Sequence, residues 1–284
     1  MFAHTHTHIQ VQDSLLGSYL MTKQNSFIDK ATFFDIILIA LGDDWDGHIP
    51  PPAVCFPKEQ WTGRQLLSML LPKMSFNAYD TPDMSDEKVC IRNGDICTGQ
   101  FNKKILGMVE RGLIHRMVHL EGNDRTAKFM SQLQFMVTQF MIGHSYSIGI
   151  EDCCTTQAVQ DKINTKLTKT IAACSFMDVK EADANAVLNR VRDVAAKYVI
   201  DAMPATHSLL QMINSGSKGS KTNIAQISCC IGQNNVEGKR IAPRANNNRT
   251  SSHFKQFSPD PIGRGFVKSS YLQGLGPKEF FTRE

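Results

Sequence analysis

The sequence predicts an α+β chain: a mixed N-terminal part with a β-hairpin, then a mainly helical part with an antiparallel helical hairpin. Three observations carry this expectation. Asn93-Gly94 separates two β-prone runs in residues 88–101 (KVCIRNGDICTGQF), and both residues tolerate the positive φ that a type I′ turn requires. Within 123–142, Phe129, Leu133, Met136, Val137, Phe140 and Met141 recur at three- and four-residue steps, the spacing of one helix face. Two further helical stretches, near 155–174 and 181–203, are joined by a short polar link, as in an antiparallel helix pair.

Residues 27–41 (FIDKATFFDIILIAL) form a dense apolar run that reads as a largely buried helix. Gly42 to Pro52 is a turn-rich break ending in three prolines, and Ala53 to Phe56 reads as a short strand. Trp61 to Leu71 reads as a helix, with the Thr62 hydroxyl placed to accept an orphan backbone N–H and Pro72 placed to stop it. For the long helix over 123–142, Asn123 or Asp124 is the expected cap and Gly143 the expected end, and its Met and Phe residues read as core rather than ligand contacts. In the helical pair, Ile163, Leu167, Ile171 and Cys174 define the inward side of the first helix. Val187, Val191, Val194 and Tyr198 define that of the second, and Pro204 follows it. From 215 onward Gly, Ser, Asn, Lys and Arg dominate, interrupted by the apolar stretch Ile224 to Ile231, and 242–265 reads as a long loop.

Of the 284 residues, 42% are hydrophobic and 20% charged, a globular composition that argues against wholesale disorder. No stretch reaches about 18 uninterrupted apolar residues, so no membrane span is expected, and Met1 to Gln10 lacks the pattern of a signal peptide. The eight cysteines contain no Cys-x-x-Cys spacing, which argues against a zinc ribbon and for buried free thiols in a reducing compartment. Charge is uneven. Residues 215–284 hold 11 Lys/Arg and 4 Asp/Glu, net +7, whereas residues 1–214 hold 20 and 23, net −3. A basic third suits contact with phosphates or an acidic partner, and a solvated basic face explains it as well.

Five segments could carry chemistry. Ser215–Lys221 (SGSKGSK) combines small residues, which let backbone N–H groups approach an anion, with two lysines. Its spacing is not that of the nucleotide-binding GxxxxGK[ST] loop, and a flexible basic linker accounts for it equally well. Gly232–Arg240 (GQNNVEGKR) places amides between two glycines and ends in a basic pair, compatible with a recognition segment or with a turn held by its own amides. His4, His6 and His8 alternate, a pattern that on a strand would face three imidazoles toward a metal and at a chain start reads more simply as a frayed segment. The acidic stretches 43–46 and 83–87 lack calcium-loop spacing and read as solvated turns. No Ser/His/Asp set has a supporting elbow motif, so no catalytic residue is assigned.

Together these segments resemble one family in order along nearly the whole chain. Ser215–Ile241 (SGSKGSKTNIAQISCCIGQNNVEGKRI) is similar to the funnel segment of the largest subunit of multisubunit, RNA polymerase II-like DNA-dependent RNA polymerases. Val11–Gly17 (VQDSLLG) resembles the helix that follows its active-site domain, Trp45–Pro50 (WDGHIP) and Trp61–Gln65 (WTGRQ) its pore region, and Ser147–Asp152 (SIGIED) the pore–funnel junction. Arg249-Thr250, His253-Phe254 and Gly263–Tyr271 (GRGFVKSSY) resemble the approach to its bridge helix. The resemblance implies a variable tail at 1–10, a pore-like domain at 11–150, a funnel-like domain at 151–276 and the start of the bridge helix at 277–284. These would surround the secondary channel through which nucleoside triphosphates enter. It further implies that Lys218 contacts the phosphates of the incoming nucleotide, and that Lys221, Gln226, Gln233, Asn234, Lys239 and Arg240 line the channel. Asn234 stands where the family usually has glutamine. The helical pair would form the outer wall that transcript-cleavage factors approach.

The family's magnesium-binding loop, NADFDGD, is absent from these residues. The expectation is therefore a segment of a split largest subunit, inactive alone. Another polypeptide would bind the magnesium, and other polymerase subunits, DNA and RNA would be its partners in an assembled nucleotidyltransferase. The NVEGKRI wording favours a eukaryotic or viral source, hence a nuclear location, or the cytoplasm or virion if viral. The alternatives are a stand-alone polymerase-like decoy or regulatory module binding transcription factors, and, more remotely, a histidine-based metal hydrolase.

Overall fold

A computed structural model describes residues 12–78, 88–107, 109–175, 180–244 and 248–283. The tail at 1–10 with its alternating histidines, and the acidic run at 83–87, lie outside the described residues. The fold is α+β and divides into two compact units.

The first unit takes the chain up to Ser147 together with Gln211–Lys218. In order it contains α1 (Asp13–Met21), β1 (Phe27–Asp29), α2 (Lys30–Leu41), β2 (Gln60–Thr62), α3 (Gly63–Ser68), β3 (Phe76–Asn77), β4 (Cys90–Arg92), β5 (Asp95–Thr98), α4 (Lys103–Leu106) and α5 (Leu113–His144). The run expected as one helix over 27–41 is divided. Its first three residues pair antiparallel with β2, placing Ile28 opposite Trp61. The helix begins where the Asp29 carboxylate accepts the Thr32 N–H at 2.8 Å, a side chain taking a donor that has no partner inside the helix. The helix expected over 61–71 shortens to α3, and its cap is the expected Thr62. The Thr62 hydroxyl accepts the Gln65 N–H at 3.2 Å, and Gln65 Oε1 accepts the Thr62 N–H at 2.9 Å, a reciprocal capping box. Residues 53–56 do not form a strand. Only Val54 makes an isolated bridge to Gln60, because prolines at 50–52 and 57 offer no N–H groups from which to extend a ladder.

The hairpin is where the sequence places it. β4 and β5 run antiparallel about Asn93 (φ 51°) and Gly94 (φ 92°), and β3 adds to the other side of β4. α5 is two helices joined across a kink at Gly122 (φ 81°, ψ 178°): the helix expected over 123–142 follows the kink, and a shorter one that the sequence did not announce runs from Leu113 up to it. The cap expected from Asn123 or Asp124 is replaced by this glycine break, whose carbonyl accepts the Thr126 hydroxyl at 2.8 Å. The helix runs one residue past Gly143 and ends at Ser145 (φ 55°). Its inward face is as expected: Phe129, Leu133, Met136, Val137 and Phe140 are buried. α1 packs on this face at very close range, since a Cβ added to Gly17 would lie 2.3 Å from Val137 Cγ1 and 2.9 Å from Met141 Cγ. Phe33 stacks on the buried Trp61 with ring centroids 4.9 Å apart, joining α2 to β2.

The second unit takes Ile148–Leu210 and Gly219–Glu284. It contains α6 (Gln157–Cys174) and α7 (Glu181–Ala202). α8 (Ser208–Ser215) then carries the chain back into the first unit, and α9 (Lys221–Ser228) resumes the second. β6 (Gly232–Gln233), β7 (Asn235–Val236), β8 (Lys239–Arg240), β9 (Phe266–Val267) and α10 (Pro277–Arg283) follow. β6 pairs with β9, β7 with β8, and a 3-10 turn spans Pro261–Arg264.

The helical pair α6–α7 is as expected, but the inward side of α7 is not. Its buried residues are Ala184, Leu188, Val191, Ala195, Ala196 and Val199, whereas Val187 is 43% and Tyr198 36% exposed. The reason is that α7 is covered by α6 and by α9, and its alanines admit the α9 end closely enough for the Cys229 thiol to donate to the Ala195 carbonyl at 3.6 Å. All eight cysteines are free thiols. Cys174, Cys229 and Cys230 are buried as expected, and burial pushes the Cys229 and Cys230 thiols up to about 12, whereas Cys55, Cys97 and Cys154 are exposed. Among the described residues no helix is long and apolar enough to cross a membrane.

Gly17→Ala should destabilise the first unit by about 1–3 kcal/mol, because the added methyl group overlaps Val137 in a packed interface. Thermal unfolding would show this as a lowered Tm, and an unchanged Tm would mean that α1 and α5 separate freely.

Candidate functional site

The segment Ser215–Arg240 carries the sequence-based candidates and crosses from one unit to the other, so each part has its own setting. In the first unit, α8 ends in a tight loop of hydroxyl contacts. The Ser215 hydroxyl donates to the Met212 carbonyl at 2.8 Å, as the Ser217 hydroxyl does at 3.0 Å. The Gly216 N–H donates to the Ile213 carbonyl at 3.0 Å, and the Ser217 N–H to the Ser215 hydroxyl at 3.3 Å. Gly216 has φ 74° and lies against Lys103, with room for no Cβ. The serines and these amides are therefore used inside the loop, unlike the backbone anion cradle that the small residues suggest. What the loop offers to solvent is the Lys218 side chain. An ammonium on a flexible stem meets a phosphate as a point charge, without the directional fit of a backbone cradle.

In the second unit, the Ser220 hydroxyl caps α9 and Lys221 is exposed at its first turn. Gln226 is half-buried, and its backbone carbonyl accepts the Tyr271 N–H at 2.9 Å. Gln233 is buried, and its amide donates to the Asn234 and Arg264 carbonyls, each at 2.8 Å. It thereby staples β6 to the turn before β9. Gly265 (φ 96°) permits this, since a Cβ there would meet the Asn234 carbonyl at 2.8 Å. Asn234 is half-buried and Lys239 exposed.

Arg240 stands apart, because it is buried. Its Nε and Nη2 donate to the two carboxylate oxygens of Glu181 at 2.7 and 2.6 Å, the bidentate geometry that a guanidinium favours. Arg264 Nη1 reaches the same carboxylate at 2.8 Å, and its Nε donates to the Ile241 carbonyl at 3.1 Å. Glu181 lies in the first turn of α7, where the helix dipole also favours a negative charge. The Arg240 hydrogen bond, helped by Arg264 and opposed by partial burial, holds its carboxyl below the usual carboxylate range. Sequence reading passed over Glu181, which stands 59 residues from Arg240 and is one of many charges on an amphipathic helix. Its position at a helix start was the one available signal.

The comparisons with known proteins bear on the same residues. Residues 8–153 match the family described as RNA polymerase Rpb1, domain 3, and residues 159–267 match RNA polymerase Rpb1, domain 4. The chain belongs to the RNA polymerase Rpb1 family. It is 34% identical, over 95% of its length, to two proteins of Trypanosoma brucei brucei named DNA-directed RNA polymerase II subunit RPB1-A and RPB1-B. The chain spans 16% of the length of these curated relatives. An RNA polymerase implies magnesium. Among the described residues no three His, Cys, Asp or Glu side chains converge to hold a metal, so this set does not fit the ion.

Because the Glu181 carboxyl has a lower pKa folded than unfolded, its contribution to stability is complete above the ordinary value of 4.5 and is lost as pH falls through the depressed folded value. Denaturant unfolding across an acid series should therefore show Glu181→Gln less stable than the wild type at pH 7 but less sensitive to acidification below pH 4.5. Parallel pH profiles for the two proteins would show that the pair adds nothing to the fold.

Proposed function

We propose that this chain forms part of the wall of the secondary channel of a DNA-directed RNA polymerase, where nucleoside triphosphates pass to the active site, and that Lys218 contacts their phosphates. The observation that carries the reading is the exposed Lys218 ammonium, presented by a loop whose Ser215 and Ser217 hydroxyls are turned inward, within a chain matching Rpb1 domains 3 and 4. In the second unit Lys221 and Lys239 are exposed as well, and each is a positive charge to which a polyanion is drawn. Gln226 and Asn234 line the passage. Gln233 and Arg240 shape it from behind, through the Arg264 carbonyl and the Glu181 carboxylate.

In this reading the chain holds no catalytic group. The magnesium that an RNA polymerase uses is bound by residues outside these 284, and the chemical step belongs to the assembled enzyme. Other polymerase subunits, template DNA and RNA are its partners there. The exposed face of α6, with Lys162, Lys166 and Lys169, is offered to an acidic transcript-cleavage factor. The work is nuclear transcription.

Lys218→Ala in the assembled polymerase should raise the apparent KM for nucleoside triphosphates about 2- to 5-fold, the scale of one exposed charge contact. Lys218→Arg should restore most of the loss, and kcat should change little. A variant that enters the complex with unaltered KM would remove Lys218 from the triphosphate path. Affinity-tagged chain purified from its native source should bring down other polymerase subunits, and recovery of the chain alone would count against the assembly.

A further inference from the structure

The second unit contains a cavity of about 410 Å³, within the range of small-molecule sites. Among the described residues its wall includes Arg240, Arg264 and Lys255 against a single carboxylate, Glu181, together with the rings of Phe254 and Phe257. Three cations facing one anion leave positive charge without an answer in the lining. Glu181 accepts from Arg240 Nε and Nη2 and from Arg264 Nη1. The remaining arm of Arg240, Nη1, is buried and meets no acceptor among the described residues, on a side chain only 6% exposed. A guanidinium N–H sealed from water without an acceptor is costly, and an anionic oxygen in the adjoining cavity would relieve it.

The aromatic side points to the rest of the ligand. Phe254 lies flat enough against the backbone that a Cβ on Gly263 would come within 3.1 Å of its ring. Phe257 is 67% exposed and sits at φ 54°, a conformation uncommon for a bulky residue, with its N–H toward the Asn248 carbonyl at 3.4 Å. A strained backbone that holds a large apolar ring out to solvent at the rim of a cationic cavity is a feature of binding sites. Such a ring stacks on a planar heterocycle.

We propose that this cavity binds a small phosphate ester of a planar ring, of mononucleotide size, with the phosphate toward Arg240, Arg264 and Lys255 and the ring against Phe257. Lys218 is not among the residues of this cavity, so its failure would leave the triphosphate reading standing, and the reverse also holds.

Calorimetric titration of the full chain with adenosine monophosphate, adenosine and inorganic phosphate tests this. Adenosine monophosphate should bind with a dissociation constant of about 1 mM or tighter, and more tightly than either fragment. Lys255→Gln and Phe257→Ala change exposed side chains, so the fold should be kept, and each should weaken binding by about fivefold. No heat of binding up to about 10 mM would overturn the proposal. So would unchanged affinity in both variants, or adenosine binding as well as its monophosphate. Inorganic phosphate binding as tightly as the nucleotide would overturn the ring contact.

Discussion

The Glu181 carboxylate is the point on which the second unit turns. It lies at the start of α7, and through Arg240 and Arg264 it fixes β8 and the Pro261–Arg264 turn to that helix. Neither guanidinium is free in water: Arg240 is 6% exposed at its side chain and Arg264 25%. Burying such groups is unfavourable unless they are paired and hydrogen-bonded, so one carboxylate makes the packing of two cations tolerable. Without it Arg240 would be a buried, unanswered charge, and the wall of the cavity beside it would lose its shape. The exposure of Glu181 itself keeps the pair partly screened, so its value lies in position as much as in energy.

The basic third therefore has two kinds of cation. Lys218, Lys221 and Lys239 are exposed and available to a passing polyanion. Arg240 and Arg264 are held by an acidic residue from the net-negative part of the chain. Net charge counts all five alike, whereas the field that an anion meets depends on which remain unanswered. The division also follows side-chain chemistry: the planar, multiply donating guanidiniums serve the internal joint, and the compact ammoniums face water.

Local signals were legible in the sequence wherever local chemistry decides the outcome. Asn93-Gly94 turns the hairpin because few other residues accept positive φ at both positions. Thr62 caps α3 because its hydroxyl and the Gln65 amide lie three residues apart, and on α6 spacing picks out the buried Ile163, Leu167 and Cys174, with Thr170 buried where Ile171 was expected. The misses share a cause. The 27–41 run was divided by pairing with a strand more than 30 residues away. On α7 the large side chains pointed to one face, while alanines that allow close approach of α9 set another. The serines of 215–217 are chemically suited to anions, yet their hydroxyls closed on Met212.

By itself the sequence determined the fold class, the helical hairpin and, through residue patterns spread along the chain, membership in the Rpb1 family. Each of these rests on neighbours a few residues apart or on identities that survive without coordinates. Only the tertiary structure decided which cations are free, which face of α7 is buried, and that Glu181 joins two arginines across 59 and 83 residues of chain. The physical reason is that solvation and pairing are properties of an enclosed volume, and the groups that enclose it are brought together by the fold rather than by their order in the chain.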